Sequence, residues 1–88
     1  MTIKIEDLKK KIIYRSTYRG TKEMDKLLAS FTKKYINTLN NTDLLHLCNL
    51  LDLDDENLYK FNQGLKPLIK IKDNKITELF KNYNYGNE

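Results

Sequence analysis

The stretch YRGTKEMDKLLASFTKKY, residues 18–35, decides how this chain folds. Met24, Leu27, Leu28, Phe31 and Tyr35 fall at offsets 0, 3, 4, 7 and 11, which is one face of an α-helix. Gly20 sits just upstream of that pattern. Glycine accepts the left-handed backbone that commonly closes a helix, so Gly20 is expected to end one helix and Thr21 to open the next.

The same period extends in both directions. Upstream, Ile5, Leu8 and Ile12 define a first helix over about Glu6 to Tyr18. Its acids, Glu6 and Asp7, come early, and Lys9, Lys10, Lys11 and Arg15 come late, as the helix dipole favours. Downstream, NTLNNTD (37–43) reads as a loop in which Asn40 or Asn41 caps a third helix carrying Leu44, Leu47, Cys48 and Leu51. DLDDEN breaks that helix, and Asp55 is expected to cap a fourth, with Leu58 and Phe61 inward and Gly64 and Pro67 ending it. Ile76, Leu79, Phe80 and Tyr83 place a fifth helix over about Asp73 to Tyr83. LIKIK (68–72) alternates, but one strand without a partner is not stable, so it reads as an extended linker or an early helical turn. The expected architecture is all-α: a small five-helix bundle forming a single domain over 1–88, frayed at the first few residues and at about 84–88.

Composition narrows the function. With 88 residues, 40% of them apolar, there is room for one modest core and none for a dinucleotide-binding fold with a substrate domain. The net charge of +4 arises from 16 basic and 12 acidic residues spread along the chain, and Lys9-Lys10-Lys11 is the only basic run. A nucleic-acid binder concentrates positive charge on one face. That run reads instead as a solvated helix face. A single cysteine and a single histidine preclude an internal disulfide and argue against a metal site built on several thiolates or imidazoles. No apolar run is long enough to cross a membrane, and the N-terminus reads as neither signal peptide nor import presequence. The expectation is a bacterial cytoplasmic protein with no membrane insertion.

No catalytic constellation emerges. There is no glycine-rich phosphate loop and no Ser/His/Asp set. Cys48, on an apolar face, reads as a buried structural thiol, and His46 as a surface residue on the opposite side of its helix. LDLDDE lacks the glycine and the distal glutamate of an EF-hand loop, so helix capping accounts for its aspartates. The chain is therefore expected not to be an enzyme and to hold no cofactor of its own. Tyr14 and Tyr18, beside Arg15 and Arg19, are types enriched at interface hot spots.

The order of residues over 14–31 goes further. Arg19, Gly20 and Glu23 form an R-G-x-x-E motif, preceded by Tyr14-Arg15-Ser16 and followed by Asp25, Leu27, Leu28 and Phe31. This pattern resembles the signature of the SdhE family, called succinate dehydrogenase assembly factor 2 in mitochondria. LLDLDDENLYKF and GLKP resemble the family's acidic turn, fourth helix and Gly–Pro turn, so the likeness covers roughly residues 11–67. Tyr18, Thr21 and Phe61 depart from the residues common there.

The resemblance implies a five-helix flavinylation factor. Such a protein binds the flavoprotein subunit of succinate dehydrogenase, in some bacteria that of fumarate reductase also, and promotes covalent attachment of FAD to its histidine. FAD would then belong to the partner, and the factor would be a monomer when free. The partner-binding residues it implies are Arg15, Tyr18, Arg19, Gly20, Glu23 and Asp25. In this picture Gly20 leaves room for partner backbone, Arg19 offers a planar donor fork, and Glu23 sits in the first turn of the second helix. An Arg19–Glu23 ion pair within the motif is the simpler alternative. Two rival classes remain open: a small basic helical nucleic-acid-binding protein and a small enzyme.

Overall fold

In the computed structural model, which describes residues 4–84, five helices follow one another: α1 (Ile5–Thr17), α2 (Lys22–Tyr35), α3 (Asn41–Leu51), α4 (Asp55–Asn62) and α5 (Lys75–Lys81). No strand occurs among the described residues, so the all-α bundle expected from the periodicity is the fold found. Both terminal segments expected to fray extend into residues outside the described range. LIKIK is an irregular linker.

Each apolar stripe reaches the core. Leu8 and Ile12 of α1, Met24, Leu27, Leu28 and Phe31 of α2, and Leu44, Leu47 and Leu51 of α3 are buried. From the second half come Leu58, Ile76, Phe80 and Tyr83. Phe61 and Leu79 pack on the core while remaining partly exposed. The centre is aromatic: the Phe31 ring meets Phe80 and Tyr83 edge-on at 5.1 and 5.3 Å, geometry that aligns ring edges with ring faces. α1 lies against α2 and α3, and α5 closes the bundle against α3 and α4.

Helix ends account for most departures from expectation. α3 starts as expected, Asn40 serving as its cap by accepting from the Asp43 N–H at 2.8 Å, and the departures lie in the next two helices. α4 is capped by Asp54 rather than Asp55, with Asn57 donating both its backbone and its amide N–H to that carboxylate. α5 begins later than predicted, behind a reciprocal Asn74–Thr77 capping box. It ends at Lys81, although Tyr83 still packs inside.

The two positive-φ glycines among the described residues differ. Gly64 (φ +77°) follows α4 in a Schellman stop, with Gly64 N–H donating to Phe61 O at 3.3 Å and Leu65 N–H to Lys60 O at 2.8 Å. Gly20 was expected to close α1 in the same way. Instead α1 ends at Thr17, and Gly20 lies further on with φ +123°, beyond the left-handed helical region.

Buried polar groups tie the last helix down. The Asn62 amide donates at 2.8 Å to both Phe80 O and Tyr83 O, adding a side-chain donor from α4 to the backbone bonds that Phe80 O already accepts at the end of α5. The Tyr83 hydroxyl and Ser30 Oγ lie 2.9 Å apart.

Candidate functional site: the turn between α1 and α2

The α1–α2 turn is held by a neighbour distant in sequence. α3 has no basic residue in its last turn, so its C-terminal carbonyls lack local cationic partners. Arg15 and Arg19, at the end of α1, supply them. Arg19 Nη1 donates to Leu51 O at 2.8 Å and Nη2 to Leu53 O at 2.7 Å, while Nε donates to Asp55 Oδ1 at 2.9 Å. A further Nη1 bond reaches Arg15 O at 3.4 Å. The Arg19 side chain is only 10% exposed. One planar fork thus joins the end of α1, the end of α3 and the start of α4, a geometry that lysine cannot reproduce.

Arg15 works beside it. Its Nη2 bonds Asp52 and, at 3.3 Å, Leu51 O; its Nη1 approaches Cys48 Sγ at 3.7 Å. The hydrogen bond to Asp52 holds the Arg15 pKa above its ordinary value, against the opposing effect of burial. Asp25 accepts from the Arg19 backbone N–H, which fixes the turn from the α2 side. Thr21 caps α2, accepting from Met24 N–H at 3.2 Å.

The structure therefore divides the six predicted residues. Arg15, Arg19 and Asp25 are bonded within the chain. The guanidinium fork expected to face a partner is turned onto the protein's own carbonyls. The alternative of an Arg19–Glu23 pair does not occur either, since Arg19 pairs with Asp55. Tyr18, Gly20 and Glu23 face outward. Tyr18 is 69% exposed and Tyr14 66% exposed, and their rings meet at 4.8 Å, tilted by 49°. Glu23 has no hydrogen bond or ion pair among the described residues. It borders a shallow cleft of about 250 Å³ that Tyr59 and Gln63 also line.

Sequence reasoning missed Asp52 and Asp55, which capping was expected to explain. A signal was present: two arginines four residues apart and two aspartates three residues apart, spacings that put each pair on one side of its segment. Cys48 is partly buried rather than fully so. His46 is also partly buried, with its Nδ1 enclosed and without a hydrogen-bond partner, because the 70–74 linker crosses that side of α3.

Fold and surface together define a small helical domain with a braced turn that presents two tyrosines in contact, a bare glycine and a carboxylate without an ion pair among the described residues. Comparison with known proteins gives the class a family. Residues 10–84 match the family model described as flavinator of succinate dehydrogenase, a match that takes in the last helix. Succinate dehydrogenase assembly factor 2, mitochondrial, of Scheffersomyces stipitis is 37% identical over 75 residues, covering 81% of this chain and 50% of the relative. The protein of the same name from Meyerozyma guilliermondii is 32% identical over 80 residues, covering 86% of this chain and 59% of the relative. The FAD assembly factor SdhE of Wigglesworthia glossinidia brevipalpis is 33% identical over 70 residues, covering 70% of this chain and 83% of the relative. The chain thus spans about half the length of the two fungal relatives it matches. No solved structure matched. The chain belongs to the succinate dehydrogenase flavinator family.

Proposed function

We propose that this protein binds the flavoprotein subunit of succinate dehydrogenase and promotes covalent attachment of FAD to a histidine of that subunit, in the bacterial cytoplasm. The observation that carries the reading is the family match over residues 10–84. The exposed turn supports it, since paired tyrosines are suitable hot-spot anchors and Gly20 lets partner backbone approach. A fumarate reductase flavoprotein is a second client of the same kind.

The contribution is positional. The factor acts as a monomer and holds the flavoprotein so that its histidine and the flavin ring meet, a proximity effect. The bond is formed by the flavoprotein and its flavin, and this chain holds no FAD of its own. Within the motif the roles divide. Tyr14, Tyr18, Gly20 and Glu23 touch the partner, while Arg15, Arg19 and Asp25 keep those residues in place.

The test mixes apo-flavoprotein, FAD and this protein, and follows covalent flavin by in-gel fluorescence under denaturing conditions. Acceleration by the parent chain, lost in Gly20→Arg and reduced in Glu23→Ala, is expected. Glu23→Ala removes an exposed side chain without structural bonds, so it separates binding from folding. Full acceleration by a folded Glu23→Ala, Tyr18→Ala double variant would remove this surface from the mechanism.

A further inference from the structure

Beyond Gly64 the chain leaves α4 and runs irregularly to the cap of α5. The linker is anchored at few points. Leu65 N–H bonds Lys60 O, Leu68 N–H bonds Asn57 Oδ1 at 2.8 Å, and Lys72 O accepts from Thr77. Its side chains follow a pattern that folding does not explain. Leu68 is 72% exposed, the highest value among the large hydrophobic residues described, with Leu65 at 55% and Ile69 at 43%. Lys66, Lys70 and Lys72 stand exposed among them, and none forms an ion pair among the described residues. The segment 65–72 contains no acid. The nearby Lys75 is engaged by Asp43 at 3.4 Å, and Lys60 by Glu56 at 3.3 Å. The surface is therefore aliphatic and positive at once, within one loop.

Three occupants suit parts of this chemistry, and one suits all of it. A stable protein interface takes about 20–30 residues a side and is depleted in lysine, and a single loop is too small. A nucleic acid would satisfy the lysines, but base recognition draws on aromatic rings and arginine, and 65–72 has neither. An anionic bilayer takes both components: aliphatic side chains enter the headgroup–acyl boundary while lysine ammonium groups remain among anionic headgroups. No described helix is long and apolar enough to cross a membrane, so the contact would be peripheral. We propose that the 65–72 loop docks this protein on anionic lipid surfaces through Leu65, Leu68 and Ile69, with Lys66, Lys70 and Lys72 supplying the attraction. Its residues are distinct from those of the α1–α2 turn.

The experiment is flotation of the full chain with phosphatidylcholine vesicles, with and without phosphatidylglycerol. Association only with the anionic vesicles, weakened by added salt, is expected. Replacing the lysines together (Lys66→Gln, Lys70→Gln, Lys72→Gln) should weaken it by roughly fivefold per lysine. Leu68→Ser with Ile69→Ser should weaken it at unchanged charge. Removing the same charge from α1 (Lys9→Gln, Lys10→Gln, Lys11→Gln) should have a much smaller effect. In a Leu68→Trp variant, indole emission should shift to the blue on adding anionic vesicles. Circular dichroism checks that each variant keeps its helices. The proposal is overturned by absence of binding to anionic vesicles, by an equal loss in the α1 variant, or by an unshifted indole. It is overturned equally if the loop variants keep vesicle binding and lose flavoprotein binding, which would make the loop a protein interface.

Discussion

Two connections in this bundle are built on opposite principles. The one between α1 and α2 is short, and it is braced by Arg19 against the ends of α3 and α4 and by Asp25 against its own backbone. The one between α4 and α5 is longer, leaves its aliphatic side chains in solvent, and has few anchors. Both follow or contain a positive-φ glycine, and both expose apolar groups. The difference lies in whether the backbone is fixed. A fixed turn presents side chains in one geometry and suits a folded protein partner, where preorganisation lowers the cost of binding. A lightly anchored loop suits a surface without fixed geometry.

The contrast can be broken most forcefully at Arg19. Arg19→Ala removes four charge-assisted hydrogen bonds, takes the side-chain donor from the Leu53 carbonyl and leaves Leu51 O to Arg15 alone. We expect a loss of about 3 kcal/mol in urea unfolding, with Arg19→Lys recovering part of it. If Arg19→Ala unfolds at the parent midpoint, the brace contributes nothing. The glycines sharpen the comparison. A Cβ at Gly20 would lie 3.9 Å from Asp55 Oδ2, so it has room, but φ +123° is strained for any other residue. Gly20→Ala should cost about 2 kcal/mol and Gly64→Ala about 1 kcal/mol, because +77° is closer to the left-handed region that other residues visit. Equal shifts in thermal midpoint would show that the two turns are alike. Smallest in stability are Tyr18→Ala and Leu68→Ser, each expected within about 0.5 kcal/mol of the parent. Tyr18→Ala should nevertheless weaken flavoprotein affinity about tenfold in a titration, a hot-spot effect. Leu68→Ser should leave that affinity unchanged.

The helices were legible because each buries a stripe that repeats at the helical period, as Met24 to Tyr35 shows. Their ends were less so. Asn40, Asp54 and Asn74 each have a neighbouring Asn or Asp equally able to cap, and the choice rests on backbone geometry that spacing does not contain. At the turn, the residue set was readable from the motif, but the direction of each side chain was not. Arg19 points inward because α3 ends without a cation of its own, a fact visible only once α1 and α3 lie side by side. Asp55 looked like a cap for the same reason: its partner is 36 residues away.

The attachment of α5 has a consequence for the order in which the molecule assembles. Seven residues are too few for a helix to persist alone, so α5 acquires its shape on docking, through Asn62 and the Phe31–Phe80–Tyr83 rings. Those contacts draw together segments up to 53 positions apart, a separation that makes their closure entropically slow. The brace at Arg19 needs nothing beyond Asp55. As the chain leaves the ribosome, the turn proposed to face the partner can be set before the C-terminal segment arrives to seal the interior. Phe80→Leu should then hasten unfolding in stopped-flow traces while the rate of folding stays near that of the parent.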